Sequence, residues 1–257
     1  MRQKAIIAHY HPFKNAGTSV DKILELNFGS SWSKIEFPMV NLRSNSKLVR
    51  DWVKQHQHLS AFSSHTAIFP LPQLDNITIL PIVFLRHPIV RMLSVYKFER
   101  QQKVQNRSSK LAREKDFAGY LNYQLDEKNN RSCRNFQTYR LSWLDDRQNS
   151  SELERALKGL DSLPVVGIVS QFDLSMELYR QAIATYYPSF RSTSVHANTT
   201  SDPQESLEAK LDAVRQSIDS ATYRRLLDAN YDDLQIYEAA KNKLRLGADA
   251  MLETTGY

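Results

Sequence analysis

The sequence is poor in cysteine, glycine and long apolar runs, and each shortage excludes a class of protein. Cys133 is the single cysteine, so the chain can form neither an internal disulfide nor a cysteine-built metal cluster. No run approaches the roughly 18 apolar residues of a membrane span, and the richest is 77–85. The apolar segment after Met1 is about five residues long, too short for a signal-peptide core. We therefore expect a soluble, cytoplasmic protein without a membrane span.

The chain also lacks internal repeats, low-complexity tracts and Pro/Gly/Ser-rich linkers, which predicts one domain over residues 1–257. Its 34 Lys+Arg outnumber its 28 Asp+Glu, giving a net charge of +6. This surplus favours an anionic partner, such as a nucleotide, a phosphate or sulfate donor, an acidic glycan or nucleic acid. Many of the basic residues fall between 100 and 134, which we interpret as a solvated, mobile connection.

Apolar runs alternate with helical periodicities, which predicts an α/β fold with a mainly parallel central sheet flanked by helices. The segment 77–85 is a continuous run rich in branched residues, typical of a central parallel strand. The C-terminal third, 204–246, is predicted to be helical, behind a polar loop at 192–203. The predicted strands are 5–10, 34–39, 61–64, 77–85 and 165–169, and the first predicted helix is 18–28.

The sharpest motif is HPFKNAGTS, residues 11–19, between the first strand and the first helix. Such a P-loop-like strand–loop–helix can hold a phosphate, because the helix N-terminus offers free N–H groups and a partial positive charge. Gly17 permits close approach, and Thr18 and Ser19 add hydroxyl donors. The motif is not a Walker loop, since Lys14 precedes Gly17 and no earlier glycine exists. A capped turn with an unrelated lysine is the alternative.

A second motif, Arg-His-Pro-x-x-Arg-x-x-Ser, starts at Arg86, directly after the predicted central strand. Pro88 suits the first turn of a helix, where its missing N–H costs nothing. Arg91 and Ser94 are three residues apart on one helical face. A guanidinium and a hydroxyl at this edge would suit a second phosphate. For Arg91, however, we favour an ion pair with a surface carboxylate.

Together and in this order, the two motifs resemble the sulfotransferases that use 3′-phosphoadenosine 5′-phosphosulfate (PAPS), specifically the carbohydrate-type branch that includes heparan sulfate 2-O-sulfotransferase. Members of that family carry a Pro-x-Lys loop ending in Thr-Ser, which residues 12–19 match, and Arg-Asp-Pro-x-x-Arg-x-x-Ser, which 86–94 match. The resemblance runs along nearly the whole chain, with further similarities at 135–138, 171–178, 196–199 and 230–237. Two departures are Asn15, after the lysine, and His87, in place of the aspartate.

The resemblance implies a PAPS-dependent O-sulfotransferase that releases adenosine 3′,5′-bisphosphate (PAP), needs no metal and acts on a sugar or glycan hydroxyl. Lys14 would then neutralise charge on the oxygen between phosphate and sulfur, and Arg86 and Ser94 would hold the 3′-phosphate. The loop residues assigned to the nucleotide are Lys14, Asn15, Ala16, Gly17, Thr18 and Ser19. Nucleic acid is not expected as a partner.

Sulfuryl transfer to an alcohol needs a group that takes the hydroxyl proton, and a neutral histidine suits that role. His65 follows a predicted strand between the two motifs, where the resembling family places its base, so we predict that His65 is the base. His9 and His11 share a strand face, but the sequence shows no third ligand, so no metal site is expected. Cys133 has no evident partner base and is interpreted as buried or idle.

Two other functions stay open at this point. A P-loop-like kinase would share the first motif, but Leu85 is followed by an arginine and not by a metal-binding aspartate. A non-catalytic anion or nucleic-acid binder would explain the charge but not the ordered pair of phosphate motifs.

Overall fold

A computed structural model of the chain describes residues 4–38, 44–144, 149–192 and 205–255. Within these ranges, one five-stranded parallel sheet has the order β2-β3-β1-β4-β5. The strands are β1 (Lys4–Tyr10), β2 (Trp32–Lys34), β3 (Ala61–Ser64), β4 (Ile77–Leu85) and β5 (Gly167–Ile168). The predicted α/β class with a mainly parallel sheet is confirmed.

Eleven α-helices lie in the same described ranges, on both faces of the sheet and beyond its carboxyl edge. In the first half they are α1 (Gly17–Phe28), α2 (Asn45–Gln55), α3 (Pro88–Gln101), α4 (Arg107–Glu114) and α5 (Phe117–Asp126). In the second half they are α6 (Phe136–Leu141), α7 (Glu152–Ser162), α8 (Phe172–Ala184), α9 (Leu207–Ser217), α10 (Ser220–Ala229) and α11 (Tyr231–Thr255). The C-terminal third is thus helical, as predicted.

The central strands are buried on both faces, which explains their unbroken apolar sequences. On β1, Ile7 packs with α1 and α8, and its neighbour Ile6 packs with α2, α7 and α11. Pro81 lies inside β4 although it cannot donate a ladder hydrogen bond. Strand β5 pairs only with Phe84 and Leu85, so β4 is an edge strand on that side at Pro81 and tolerates the missing N–H.

Two sequence predictions are wrong within the described residues. The segment 100–134 is not a connection without regular structure, because α4 and α5 lie in it and bury Leu111, Tyr120 and Leu121 against α3, α9 and α10. Most of its basic side chains are exposed, as expected. The strand predicted at 34–39 is also misplaced. The paired strand is Trp32–Lys34, and Met39 lies outside the described residues.

The polar loop predicted at 192–203 and the family similarity at 196–199 fall almost wholly outside the described residues. Within the described part of the chain, no helix combines the length and the apolar character that crossing a bilayer requires.

Candidate active site

Three segments that the sequence singles out lie together, because they follow three adjacent strands. The 11–19 loop follows β1, His65 follows β3, and Arg86 follows β4, with β1 in the middle of the three. The carboxyl ends of parallel strands share one sheet edge, and that edge is where α/β sheets bind ligands. The fold therefore assembles the predicted site.

The loop before α1 has an unusual backbone. Lys14 and Ala16 have φ angles of 67° and 62°, in the left-handed region that non-glycine residues rarely adopt. Each such residue costs on the order of 1 kcal/mol, and this kind of strain is typical of functional sites. The amides of Ser19 and Val20 already bond to the Ala16 carbonyl. The earlier amides of α1 have no intrahelical acceptor and are available to an anion.

Asn15 anchors this loop to the sheet. Its side chain is fully buried, and its amide nitrogen donates at 2.8 Å both to the Phe84 carbonyl and to Gln137 Oε1. Asn15, which departs from the family pattern, thus points its side chain toward β4. Its backbone N–H donates to the Pro12 carbonyl. Asn15 stays a predicted nucleotide residue, and the structure shows that its side chain holds the loop in place.

Gln137 connects the two phosphate motifs. Besides Asn15, its Oε1 accepts the Arg86 N–H at 2.8 Å, and its Nε2 donates to the Arg86 carbonyl at 2.8 Å. The side chain is fully buried, so these hydrogen bonds are shielded from water. Gln137 belongs to a segment in which the sequence resembles the family, but sequence reasoning gave it no role. We name these contacts of Gln137 with Asn15 and Arg86 the Gln137 clamp.

A buried carboxylate fixes the start of α6 and hence the Gln137 clamp. Asp233 accepts the N–H of Gln137 at 3.1 Å, the N–H of Thr138 at 2.7 Å and the Thr138 hydroxyl at 2.8 Å. A negative charge that satisfies the first amides of a helix is favourable. Asn135, with φ of 43°, makes the turn into the helix. Asp233 is a second residue to which the sequence gave no role.

Lys14 is a half-buried cation above an aromatic ring. Its Nζ lies 4.6 Å from the centre of the Phe98 ring, and its carbonyl accepts from Arg86 Nη1 at 3.2 Å. Burial, and then the nearby charge of Arg86, lower the pKa of the ammonium. Among the described residues, no carboxylate forms a salt bridge with Lys14. An uncompensated cation of this kind suits an anionic ligand.

Arg86 and Ser94 line one small cleft of about 60 Å³, which Lys97 and Lys210 also border. Burial lowers the pKa of the Arg86 guanidinium to about 10, with a smaller effect from Arg91, so it stays protonated at neutral pH. The Ser94 hydroxyl is buried and has no hydrogen-bond partner in the described part of the chain. A buried unpaired hydroxyl costs free energy unless a ligand satisfies it.

Arg91 is not the surface ion pair that the sequence suggested. Its side chain is fully buried, donates to the Ser132 carbonyl and lies 4.4 Å from the Phe136 ring centre. Burial lowers its pKa to about 10. The helix spacing correctly placed Arg91 on the face of Ser94, but the covering segments around Ser132 and Phe136 come from much later in the chain. Arg91 therefore joins α3 to those segments.

Glycine is needed at position 17 because a histidine ring occupies the space beside it. A Cβ atom added to Gly17 would lie 1.5 Å from His11 Nε2, so no side chain fits there. From the sequence we expected a phosphate to approach Gly17 closely. In the structure, the His11 ring fills the space beside this glycine. Beside it, the side chains of Thr18 and Ser19 are at least partly exposed, where a ligand can reach them.

His11 lies between two other histidine rings, stacked on that of His9 and tilted against that of His65. The centre of its ring lies 5.0 Å from that of His9 and 3.9 Å from that of His65. Burial lowers the pKa of both His9 and His11, so both rings are neutral at pH 7. His9 Nδ1 lies 3.0 Å from Asp21 Oδ1, and Lys34 Nζ lies 3.0 Å from Asp21 Oδ2.

Asp21 is the third potential metal ligand that the sequence did not reveal. It offers one atom within 4.8 Å of ligand atoms of His9 and His11. Both carboxylate oxygens already bond to His9 and Lys34. This arrangement favours a hydrogen-bonded support for β1 and α1.

The predicted base, His65, lies at the mouth of the site with its side chain half exposed. Its Nδ1 is 2.9 Å from Glu36 Oε1, and its carbonyl accepts from Arg140 Nη2 at 2.8 Å. Cys133 is buried, and burial raises the pKa of its thiol to about 11, as expected of a residue without a chemical role.

His87 stands at the N-cap of α3 without capping it, and this gives a stability prediction. We expect His87→Asp to raise the free energy of unfolding by about 1 kcal/mol at pH 7.5, because a carboxylate there can accept the first helix amides. Burial also lowers the pKa of His87 to about 4. Between pH 6.5 and 4 the unfolded chain therefore takes up a proton that the folded chain excludes, and wild-type stability falls.

Urea unfolding at pH 7.5 and 5.5 tests this expectation. The advantage of His87→Asp should be larger at pH 5.5, and His87→Ala should share the weaker pH dependence without the gain at pH 7.5. Equal stability of wild type and His87→Asp at both pH values would contradict the capping argument.

Comparison with known proteins agrees with this geometry. The profile described as "Sulfotransferase family" matches residues 3–238. An uncharacterized protein of Archaeoglobus fulgidus is 34% identical over 250 residues, which cover 95% of this chain and 99% of that protein. The matched region contains the loop, His65, the Arg86–Ser94 cleft and the Gln137 clamp. The chain therefore belongs to the sulfotransferase family.

Proposed function

We propose that the protein transfers a sulfuryl group from PAPS to an acceptor hydroxyl, with a sugar or glycan as the acceptor. The observation that carries the proposal is the pairing of two anion sites, the Lys14 loop and the Arg86–Ser94 cleft, through the Gln137 clamp. PAPS has an anionic group at each end of its ribose, at the 5′ and 3′ positions. Two fixed cationic sites at one sheet edge match that molecule.

The 5′ end of the nucleotide would bind at the start of α1. The first amides of this helix point out of its N-terminus, and the hydroxyls of Thr18 and Ser19 stand beside them. Asn15 and Ala16 set the backbone of the loop. The 3′-phosphate would bind in the other cleft, with charge-assisted hydrogen bonds from Arg86 and a bond from the Ser94 hydroxyl.

The chemistry then follows from two groups of the protein. His65 takes the proton of the acceptor hydroxyl as its oxygen attacks sulfur. The bond between sulfur and the bridging oxygen of the phosphosulfate breaks, and PAP leaves with the electron pair. Lys14 stabilises the negative charge that builds on that oxygen, as preorganised cations do in other transfer enzymes. The products are the sulfated acceptor, PAP and a proton.

A cavity of about 500 Å³ supports a carbohydrate acceptor. Phe13, the residue before Lys14 in the loop, lines one side of it. Its other walls come from α3, α4, α5 and the turn after α5. They combine tyrosine rings with amide and hydroxyl groups, among them Tyr120, Tyr123, Gln124 and Asn130. Aromatic faces and hydrogen-bonding amides are what a sugar ring with several hydroxyls requires.

Membership of the sulfotransferase family does not favour the two alternatives, a kinase and a non-catalytic anion binder. Within the described residues, the position after β4 holds Arg86, where a nucleoside triphosphate enzyme needs a ligand for magnesium. No step of the proposed reaction needs a metal ion.

Nucleotide preference tests the proposal. PAP without metal at about 100 times its dissociation constant adds about 2.7 kcal/mol of stability and should raise the melting temperature by roughly 5–10 °C. ATP with magnesium should raise it far less. Arg86→Ala should shrink the response to PAP and leave the weak response to adenosine 5′-phosphate unchanged. Arg215→Ala, an exposed arginine of α9, is the control.

An equal shift with ATP and magnesium, or a PAP shift that Arg86→Ala does not alter, would contradict the proposal. If PAP is preferred as expected, screening sugars and lipids with a labelled sulfate donor identifies the acceptor class.

A further inference from the structure

We propose that Glu36 is the residue that positions His65 and sets which of its ring nitrogens carries the proton. The catalytic part of this inference rests on the proposed function, whereas the pairing of Glu36 with His65 rests on geometry alone. Glu36 lies just beyond β2, inside the 34–39 segment that we predicted to be a strand. The structure turns it toward the neighbouring strand end instead.

Glu36 is bound to the His65 segment by hydrogen bonds to both of its oxygens. Oε1 lies 2.9 Å from His65 Nδ1 and accepts the His65 backbone N–H at 3.3 Å. Oε2 accepts the backbone N–H groups of His65 and Thr66 at 3.1 and 3.0 Å, and the Thr66 hydroxyl at 2.8 Å. The carboxylate therefore has a fixed orientation with one oxygen facing the ring.

Those donors also keep Glu36 ionised. Burial alone would raise its pKa, but the hydrogen bonds from Thr66 and His65 outweigh burial and hold the pKa below its ordinary value. An ionised carboxylate can only accept hydrogen bonds. A neutral His65 must therefore carry its proton on Nδ1, which leaves the Nε2 lone pair free to act as the base.

The remaining neighbours of His65 do not compete for Nδ1. His11 packs against the ring and is itself neutral. Arg140, from α6, donates to the backbone carbonyls of His65 and Ala67, so its charge faces the main chain. Behind His11, His9 is buried and neutral, and Lys34 pairs with Asp21.

This arrangement gives Glu36 two effects on the transfer step. It fixes the tautomer in which Nε2 can accept the acceptor's proton, and its negative charge stabilises the imidazolium formed by that proton transfer. The same division of roles between a carboxylate and a histidine is known from serine proteases, where losing the carboxylate charge lowers kcat by about 10⁴ through the wrong tautomer. Because the His65 pair is half exposed, we expect a smaller loss.

Glu36→Gln separates this role from a purely structural one. The Oε2 position faces four donors, so the amide oxygen of glutamine belongs there and its NH2 faces His65 Nδ1. That NH2 would donate to Nδ1 and move the ring proton to Nε2. Nitrogen NMR of the neutral ring, assigned by the signal missing in His65→Ala, reports the tautomer without any substrate.

We expect the proton on Nδ1 in the wild type and on Nε2 in Glu36→Gln. The kcat of sulfuryl transfer should fall by about 10²–10³, with little change in KM or in the melting temperature. The control is Glu25→Gln, the same chemical change on the exposed face of α1, which should leave both tautomer and kcat unchanged.

A wild-type ring with its proton on Nε2 would overturn the pairing, and this measurement does not depend on how the variant folds. A tautomer change without loss of kcat would overturn the positioning role. If the wild type transfers no sulfuryl group although its ring carries the Nδ1 proton, the proposed function fails and the pairing stands.

Discussion

Replacing His65 with alanine is expected to lower kcat by about 10²–10⁴ and to leave the affinity for PAP nearly intact. The half-exposed ring does not support the fold, and the Arg140 hydrogen bond goes to the His65 backbone, which alanine keeps. The variant loses the proposed base together with the ring's contacts to Glu36 and His11 at the mouth of the site. Initial rates with labelled PAPS, together with PAP binding by calorimetry, measure the two effects separately.

The matched control is His58→Ala, an exposed histidine between α2 and β3. It should transfer sulfuryl groups at the wild-type rate. Near-normal turnover of the His65→Ala variant would exclude His65 as the base. His11 would then be the next candidate, because its ring packs against that of His65.

Replacing Lys14 with alanine should raise the activation barrier by about 2–4 kcal/mol, which corresponds to a loss of rate of about 30- to 900-fold. Under the proposed function the Lys14 ammonium is the cation assigned to the leaving oxygen, and no described carboxylate forms a salt bridge with it. Its loss should affect kcat more than PAP affinity, since the charge on the bridging oxygen develops during the reaction. Steady-state kinetics with varied PAPS concentration separate the two quantities.

Lys22→Ala, which removes an exposed lysine from α1, controls for the change in net charge. The Lys14→Ala variant should melt at nearly the wild-type temperature, because a half-buried loop lysine is not a core residue. A folded variant with normal kcat would contradict the proposed role of Lys14 in transfer. A variant that unfolds, and that shows no kinetic defect when its fold is rescued, would assign Lys14 a structural role.

Local sequence patterns predicted the strands well where polar turns bound a mostly buried run. Strands β3 and β4 begin and end at the predicted residues for this reason. The 34–39 prediction failed because alternation of polar and apolar residues continues past Lys34, whereas the chain leaves the ladder once Glu36 bonds to the next strand end. Charge density likewise concealed α4, whose few apolar residues are nevertheless buried. The apolar helix α5 was missed because it lies between charged segments.

From the sequence we predicted the motifs of the candidate site but not the buried residues that hold them in place. The loop and Arg86 are local patterns, so they could be read directly. Gln137 and Asp233 could not, since they meet their partners only after folding: Gln137 is 51 residues from Arg86, and Asp233 is 96 residues from Gln137. Arg91 was misassigned for the same reason, because only tertiary packing covers it with Phe136.

The Gln137 clamp has a consequence for how the nucleotide is selected. Because the loop and Arg86 share one buried side chain, the separation of the two anion sites is fixed when the protein folds, and binding loses no further entropy in arranging them. Under the proposed function, once the 5′ group is bound, the 3′-phosphate reaches its site as an intramolecular event at high effective concentration. Two separate small anions gain no such advantage, so we expect the protein to discriminate by the length of the molecule that joins its two charges.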